Sequence, residues 1–191
     1  MILKKFNLSV KHKIAEFKKE IEVDSDKSIS IRSFLIAAIS QNISSVKNVL
    51  ESHDVLSVIY NLKKLGVKIK KIKPKNYIIY GKGLGSLYAK KNTFLNFGNS
   101  GTLARLLIGI LSTTPNIEIK MRGDKSLNKR SMKKLIKILS KFGAFFLPKN
   151  KFNFPLKLIS SKMPVGINYE AGVSAQLKSA VILAGLNSNG Y

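Results

Sequence analysis

Three stretches of this chain are apolar on nearly every side: ISIRSFLIAAI (Ile29 to Ile39), LARLLIGIL (Leu103 to Leu111) and LKSAVILAGL (Leu177 to Leu186). A helix with no polar face belongs in an interior, so each stretch demands cover from the rest of the fold. Each also follows small polar residues of the kind that open helices: Ser28, then Asn99 to Thr102 (NSGT), then Val173 to Gln176 (VSAQ). Ser28, Gly101 and Ser174 recur at intervals of roughly 73 residues. A fixed interval of that kind marks a repeated supersecondary unit, and it restricts the fold more than any other feature of the chain.

The segments between the three stretches repeat as well. DVLSVIYNLKKLG (Asp54 to Gly66) sets Val55, Val58, Ile59, Leu62 and Leu65 on one helical face, with lysines opposite. SMKKLIKILSKFG (Ser131 to Gly143) does the same with Met132, Leu135, Ile136, Leu139 and Phe142. Both stop at a glycine, as helices often do, and both lead into a short apolar stretch, VKIKKI or AFFL. YIIYG (Tyr77 to Gly81), IEIKM (Ile117 to Met121) and PLKLI (Pro155 to Ile159) read as further strands. Each unit therefore reads as buried helix, strand, amphipathic helix and two strands, an α/β (α+β) arrangement. The third unit opens with its buried helix just before Tyr191, so the repeat is expected to be incomplete at its C-terminal end.

Lysine and arginine outnumber aspartate and glutamate by 34 to 10, a formal charge of +24. A polyanion partner would explain that charge. The lysines, however, are spread through nearly every segment, and the aromatics do not interleave with them as stacking platforms for nucleic acid require. Against so many lysines the four arginines, Arg32, Arg105, Arg122 and Arg130, are informative. A guanidinium offers a planar fork to carboxylate or phosphate that lysine cannot imitate. The chain has no cysteine and only two histidines, His12 and His53, far apart and in no ligand spacing, so no metal or other cofactor is expected. It shows neither a continuous apolar leader nor a membrane-length apolar run, and a cytoplasmic location follows as the expectation.

A helix N-terminus presents unsatisfied N–H groups and about half a positive charge. Three such mouths gathered together, with Lys27, Arg32 and Arg130 nearby, would form a cradle for small anions. Ser28 and Ser174 would add hydroxyl donors, and Gly101 would let an anion approach the backbone. Ordinary capping accounts for any one of these mouths; three in register point to ligand binding.

DKSISIR (Asp26 to Arg32), GNSGTLARLL (Gly98 to Leu107), GDKSLNKR (Gly123 to Arg130) and SAQLKSAVILAGL (Ser174 to Leu186) resemble, in order and spacing, the motifs of the 5-enolpyruvylshikimate-3-phosphate synthases. The resemblance runs from about Glu22 to the end. It implies an inside-out α/β barrel domain built from βαβαββ repeats. Residues 21–191 would form that first domain, as two repeats and the start of a third, and residues 1–20 would belong to a second domain. It further implies transfer of the enolpyruvyl group of phosphoenolpyruvate to the 5-hydroxyl of shikimate 3-phosphate, with release of phosphate. By the same resemblance Lys27, Ser28, Arg32, Ser174, Ala175 and Gln176 bind shikimate 3-phosphate, and Lys27, Gly101, Arg130 and Gln176 bind phosphoenolpyruvate. Asn99 and Thr102 would shape the turn, and Arg105 would organise it as a partly buried cation. The family's proton-transfer carboxylates are expected beyond Tyr191, which leaves Asp54 and Asp124 as loop or cap residues and the chain alone inactive. The implied partners are these two small molecules, with no nucleic acid or membrane and a monomeric complete protein. A UDP-N-acetylglucosamine enolpyruvyl transferase and a basic polyanion-binding domain are the alternative readings. One departure stands close to the site: Asp24 and Ser25 replace the Pro-Gly usual before the Asp-Lys-Ser motif, which adds negative charge there.

Overall fold

The computed structural model describes residues 23–190, together with Ser9, Lys11 and Glu20. The expected assignment of residues 1–20 to a second domain lies almost wholly outside these.

The first unit runs α1 (Lys27–Ile39), β1 (Ile43–Val46), α2 (His53–Lys64), β2 (Lys68–Lys73) and β3 (Asn76–Tyr80). The second opens with β4 (Phe94–Asn96). It continues through α3 (Gly101–Thr113), β5 (Glu118–Arg122), a short α4 (Lys125–Lys129), α5 (Lys133–Lys141), β6 (Phe145–Leu147) and β7 (Leu156–Ile159). The third supplies α6 (Ala175–Gly185). Both sheets place the last strand of the unit in the middle: β1-β3-β2 in the first, and β5-β7-β6 in the second with β4 added beside β5. The pairings β1/β3, β2/β3, β5/β7 and β6/β7 are all antiparallel, with Ile43 opposite Tyr80 and Glu118 opposite Ile159. β4 runs parallel to β5 across α3. The same crossover begins again around α6, where Val165 forms a parallel bridge with Asn189. The 73-residue interval is thus a structural repeat.

Each element follows from its pattern. In β3 and β7 alternate residues turn inward (Tyr77 and Ile79; Leu156 and Leu158). Helix α2 buries Val55, Val58 and Leu62, with Leu65 just beyond its end, while Ile59 stays half-buried; α5 and its flanks bury Met132, Leu135, Ile136, Leu139 and Phe142. Both helices give way to a glycine with positive φ, Gly66 at 85° and Gly143 at 94°, a conformation glycine adopts without steric cost. Asn61, wholly buried on α2, donates to the Asn96 carbonyl at 2.8 Å and accepts from the Asn96 N–H at 3.1 Å. This buried amide completes its hydrogen bonding by fastening the first unit to β4 of the second.

Helices α3 and α6 run parallel and in register. Gln176 meets Thr102 at one end, Gly109 packs against Ala180 at the middle, and the Thr113 hydroxyl donates to the Ala184 carbonyl at 3.0 Å at the other end. The mouths of these two helices therefore lie side by side.

The expectation of three interior helices holds fully for α3 alone, on which every residue except Arg105 is buried. On α1, Ile29 and Ile36 are exposed; on α6 only Ala180 and Ala184 are buried, while Ile182 and Leu186 face outward. The reason is coverage. Helix α2 packs across α1 and α3, and α5 packs across α3 and α6, whereas no described helix lies across α1 and α6.

Candidate functional site

The three mouths are built differently. At α1 the cap is Asp26, whose carboxylate accepts the Ile29 N–H at 2.7 Å. This corrects the expectation that Ser28 opens the helix. Ser28 lies inside the first turn, half-buried, and its carbonyl accepts from Arg32 Nη1 at 3.3 Å. A carboxylate prevails because it serves both as an acceptor for the free N–H groups and as a counter-charge to the helix dipole. At α3 the buried Ser100 caps, accepting from Leu103 at 3.3 Å, and Gly101 is the first helical residue. At α6 Ser174 caps, accepting from Leu177 at 3.4 Å, as its position suggests.

The polar segment GDKSLNKR folds against the mouth of α3. Asp124 caps the short α4 by accepting from Ser126 and Leu127, and its own N–H donates to the Gly98 carbonyl at 2.8 Å. Asn99 Nδ2 donates to Asp124 Oδ2 at 3.0 Å and to the Ser126 hydroxyl at 2.8 Å. These bonds, led by the Leu127 N–H, hold the Asp124 carboxyl below its ordinary range. Asn99 also accepts from Arg130 Nη2 at 3.3 Å, which brings that guanidinium to the start of α3. A Cβ placed on Gly101 would stand 2.6 Å from Arg105 Nη1 and 3.4 Å from Arg130 Nη1, so two guanidinium groups flank this glycine.

Arg105 Nη1 donates to the Gly101 carbonyl at 3.1 Å and to Gln176 Oε1 at 2.7 Å, and so joins α3 to α6. Partial burial, and then the charge of Arg130, lower its pKa from the ordinary value. Arg105, Ser174 and Gln176 share a concavity with Ser131, Met132, Lys133 and Lys134. The two lysines open α5 and add cations that motif reading did not single out. Both were visible in the sequence, but periodicity placed them opposite the apolar face of a helix.

The structure thus brings Arg105, Ser174 and Gln176 to one depression, with Gly101 and Arg130 beside Arg105, and leaves Ala175 exposed. Lys27 and Arg32 lie on α1, to the side. Lys27 Nζ pairs with Asp54 Oδ2 at 3.0 Å. Asp54 stands in the first turn of α2, whose Ser57 approaches Gly98 next to Asn99. Asp54 is therefore the counter-ion of Lys27, a role its sequence position did not reveal. Arg32 heads a groove between α1 and α6, floored by Leu106 and bordered by Ser179. Among the described residues no group of three or more potential metal-ligating side chains occurs, and no helix is long and apolar enough to cross a membrane.

Comparison with known proteins decides the family. The profile of EPSP synthase (3-phosphoshikimate 1-carboxyvinyltransferase) matches residues 11–191. The chain belongs to the EPSP synthase family. A 3-phosphoshikimate 1-carboxyvinyltransferase of Syntrophomonas wolfei is 38% identical over 188 residues, covering 98% of this chain and 42% of the relative. One from Leptospira interrogans is 41% identical over 172 residues, covering 89% and 39%. Among solved structures, an EPSP synthase from Acinetobacter baumannii superposes with a TM-score of 0.82 at 36% identity, covering 91% of this chain and 40% of that one. The fold is the mixed α/β fold of the EPSP synthases, and the chain spans about two fifths of the length of these relatives.

Proposed function

We propose that the chain supplies the helix-mouth half of a site that transfers the enolpyruvyl group of phosphoenolpyruvate to the 5-hydroxyl of shikimate 3-phosphate. The observation that carries this reading is the convergence of the α3 and α6 mouths with Arg105 and Arg130. Oriented N–H groups and guanidinium forks suit substrates that carry phosphate and carboxylate together. Lys27, Ser28, Arg32, Ser174, Ala175 and Gln176 bind shikimate 3-phosphate. Lys27, Gly101, Arg130 and Gln176 bind phosphoenolpyruvate.

In the reaction, C3 of phosphoenolpyruvate takes a proton as the 5-hydroxyl oxygen bonds to C2 and gives up its own proton. The tetrahedral adduct then loses phosphate by cleavage of its C2–O bond, and a C3 proton leaves to restore the double bond. Arg130 neutralises the departing phosphate, and the amides at Gly101 and the α6 mouth hold oxygen charge in place. This chain binds and orients the two substrates in an enzyme that is cytoplasmic and monomeric.

Ligand-induced thermal stabilisation tests the reading. Shikimate 3-phosphate raises the melting temperature of the chain, and Arg32→Ala removes that effect. UDP-N-acetylglucosamine and generic duplex DNA have no comparable effect. Protection by the nucleotide sugar alone, or DNA binding that Arg32→Ala leaves intact, would replace this reading with one of its alternatives. A phosphate-release assay on the isolated chain shows no turnover.

A further inference from the structure

Arg105 differs from Lys27, which pairs with Asp54, in that nothing acidic answers it, and it reaches from α3 to a side chain of α6. None of the ion pairs among the described residues involves it. Its guanidinium is half-buried, beside a second guanidinium, and its donors go to neutral oxygens: the Gly101 carbonyl at 3.1 Å and Gln176 Oε1 at 2.7 Å. Space for it exists because residue 101 lacks a side chain, since a Cβ there would lie 2.6 Å from Nη1. Gln176 Nε2 in turn donates to the Thr102 hydroxyl at 3.0 Å.

These contacts settle the orientation of the Gln176 amide. A guanidinium is only a donor, so it accepts nothing from an amide NH2. Turned over, Gln176 would set its N–H groups against those of Arg105 and lose that bond, whereas the Thr102 hydroxyl, which donates as well as accepts, would fit either orientation, so Arg105 alone decides it. Held as it is, Oε1 is occupied, one Nε2 hydrogen goes to Thr102, and the second remains for an anionic oxygen. We infer that Arg105 is a positioning residue, which acts on the substrates through Gln176 by locking its amide with an N–H facing the depression. The inference rests on the proposed role of Gln176 in meeting both substrates.

A double-mutant cycle on the full chain separates this action from simple charge attraction. Calorimetric titration with shikimate 3-phosphate is made on the parent chain, Arg105→Met, Gln176→Ala and the double variant. Each single substitution weakens binding roughly ten- to a hundredfold, the scale of a charge-assisted hydrogen bond. The double variant binds as Gln176→Ala does. Additive losses would overturn the inference, because Arg105 would then act on the ligand by itself. If Arg105→Met fails to fold, the same cycle with Arg105→Lys, which keeps the charge, decides by the same criterion. If the parent chain binds no shikimate 3-phosphate, the proposed function fails, while side-chain amide NMR still tests the positioning. The Gln176 NH2 group is ordered in the parent and mobile in the Arg105 variant; an equally ordered group in both would overturn the inference.

Discussion

Asp26 and Glu51 show how single carboxylates are used in a chain with so few of them. Asp26 caps α1 at the point where an open anion cradle was expected, so its cap carries a negative charge that the serine caps of the other two helices lack. Asparagine caps about as well as aspartate without the charge. Asp26→Asn is therefore expected to leave thermal stability within about 0.5 kcal/mol of the parent while strengthening shikimate 3-phosphate binding, measured by calorimetry at low salt. Glu51 joins the first loop to the β2-β3 hairpin, accepting from Lys71 Nζ, from the Tyr77 hydroxyl at 2.6 Å and from the Lys75 N–H at 3.0 Å. Lys71, then Tyr77 and the Lys75 N–H, lower its pKa from 4.5 to about 2. A depressed folded-state pKa stabilises the fold above the unfolded value, and that contribution is lost as pH falls through the folded one. Melting temperatures measured between pH 5 and pH 2 should fall less steeply in Glu51→Gln than in the parent, on the order of one proton less taken up on unfolding. The sequence pointed to Ser174 as a cap and to Gly101 as a close-approach position. It could not show that Arg105 meets Gln176 or that Lys27 meets Asp54, because pairings between distant positions are made by the fold and leave no local pattern.

The elements most legible beforehand were those whose side chains repeat over several turns. Helices α2 and α5 carry their expected apolar faces inward, and the three apolar helices begin and end within a few residues of the stretches that announced them. Strands β1 and β4 and helix α4 were not individually legible, since ISSV, FLN and KSLNK are too short or too polar to show a period. Periodicity also says nothing about how closely two helices approach. At the centre of the α3-α6 contact, a Cβ on Gly109 would lie 2.5 Å from the Ala180 carbonyl oxygen and 3.0 Å from its Cα. Those are backbone atoms of a packed helix, which cannot swing aside as a side chain can. Overpacking costs about 1–3 kcal/mol, against roughly 1 kcal/mol gained from replacing a helical glycine by alanine. Gly109→Ala should therefore destabilise the chain by up to about 2 kcal/mol in urea denaturation. Because α3 and α6 must separate to admit the methyl group, it should also weaken shikimate 3-phosphate binding although it lies about one turn beyond Arg105. A stabilised variant with unchanged affinity would mean that the two helices do not pack as described.

On the scale of the whole molecule, the repeat explains where apolar surface is left open. Each amphipathic helix covers the seam between two successive inner helices, α2 over α1 and α3, and α5 over α3 and α6. The seam between α6 and α1 has no such helix among the described residues, and Leu35, Ile36, Leu106, Ile182 and Leu183 line the groove that results. Ile36 is 54% exposed and Ile182 65%, although both lie on helices whose sequence called for an interior. An apolar groove of this kind takes up small apolar molecules. Nile red suits the measurement because it is uncharged, whereas an anionic dye would report the +24 charge of the chain as much as the groove. Dye fluorescence should rise on addition of the parent chain. It should drop by about half or more in Ile36→Gln/Ile182→Gln, with the melting temperature within about 2 °C of the parent, since exposed side chains contribute little to stability. Leu106, the buried floor of the same groove, gives the opposite result: Leu106→Ala costs about 2–5 kcal/mol and leaves a deeper site that still binds dye. Fluorescence unchanged by the double glutamine substitution would place the open apolar surface elsewhere, and the seam between α6 and α1 would then not be the one left uncovered.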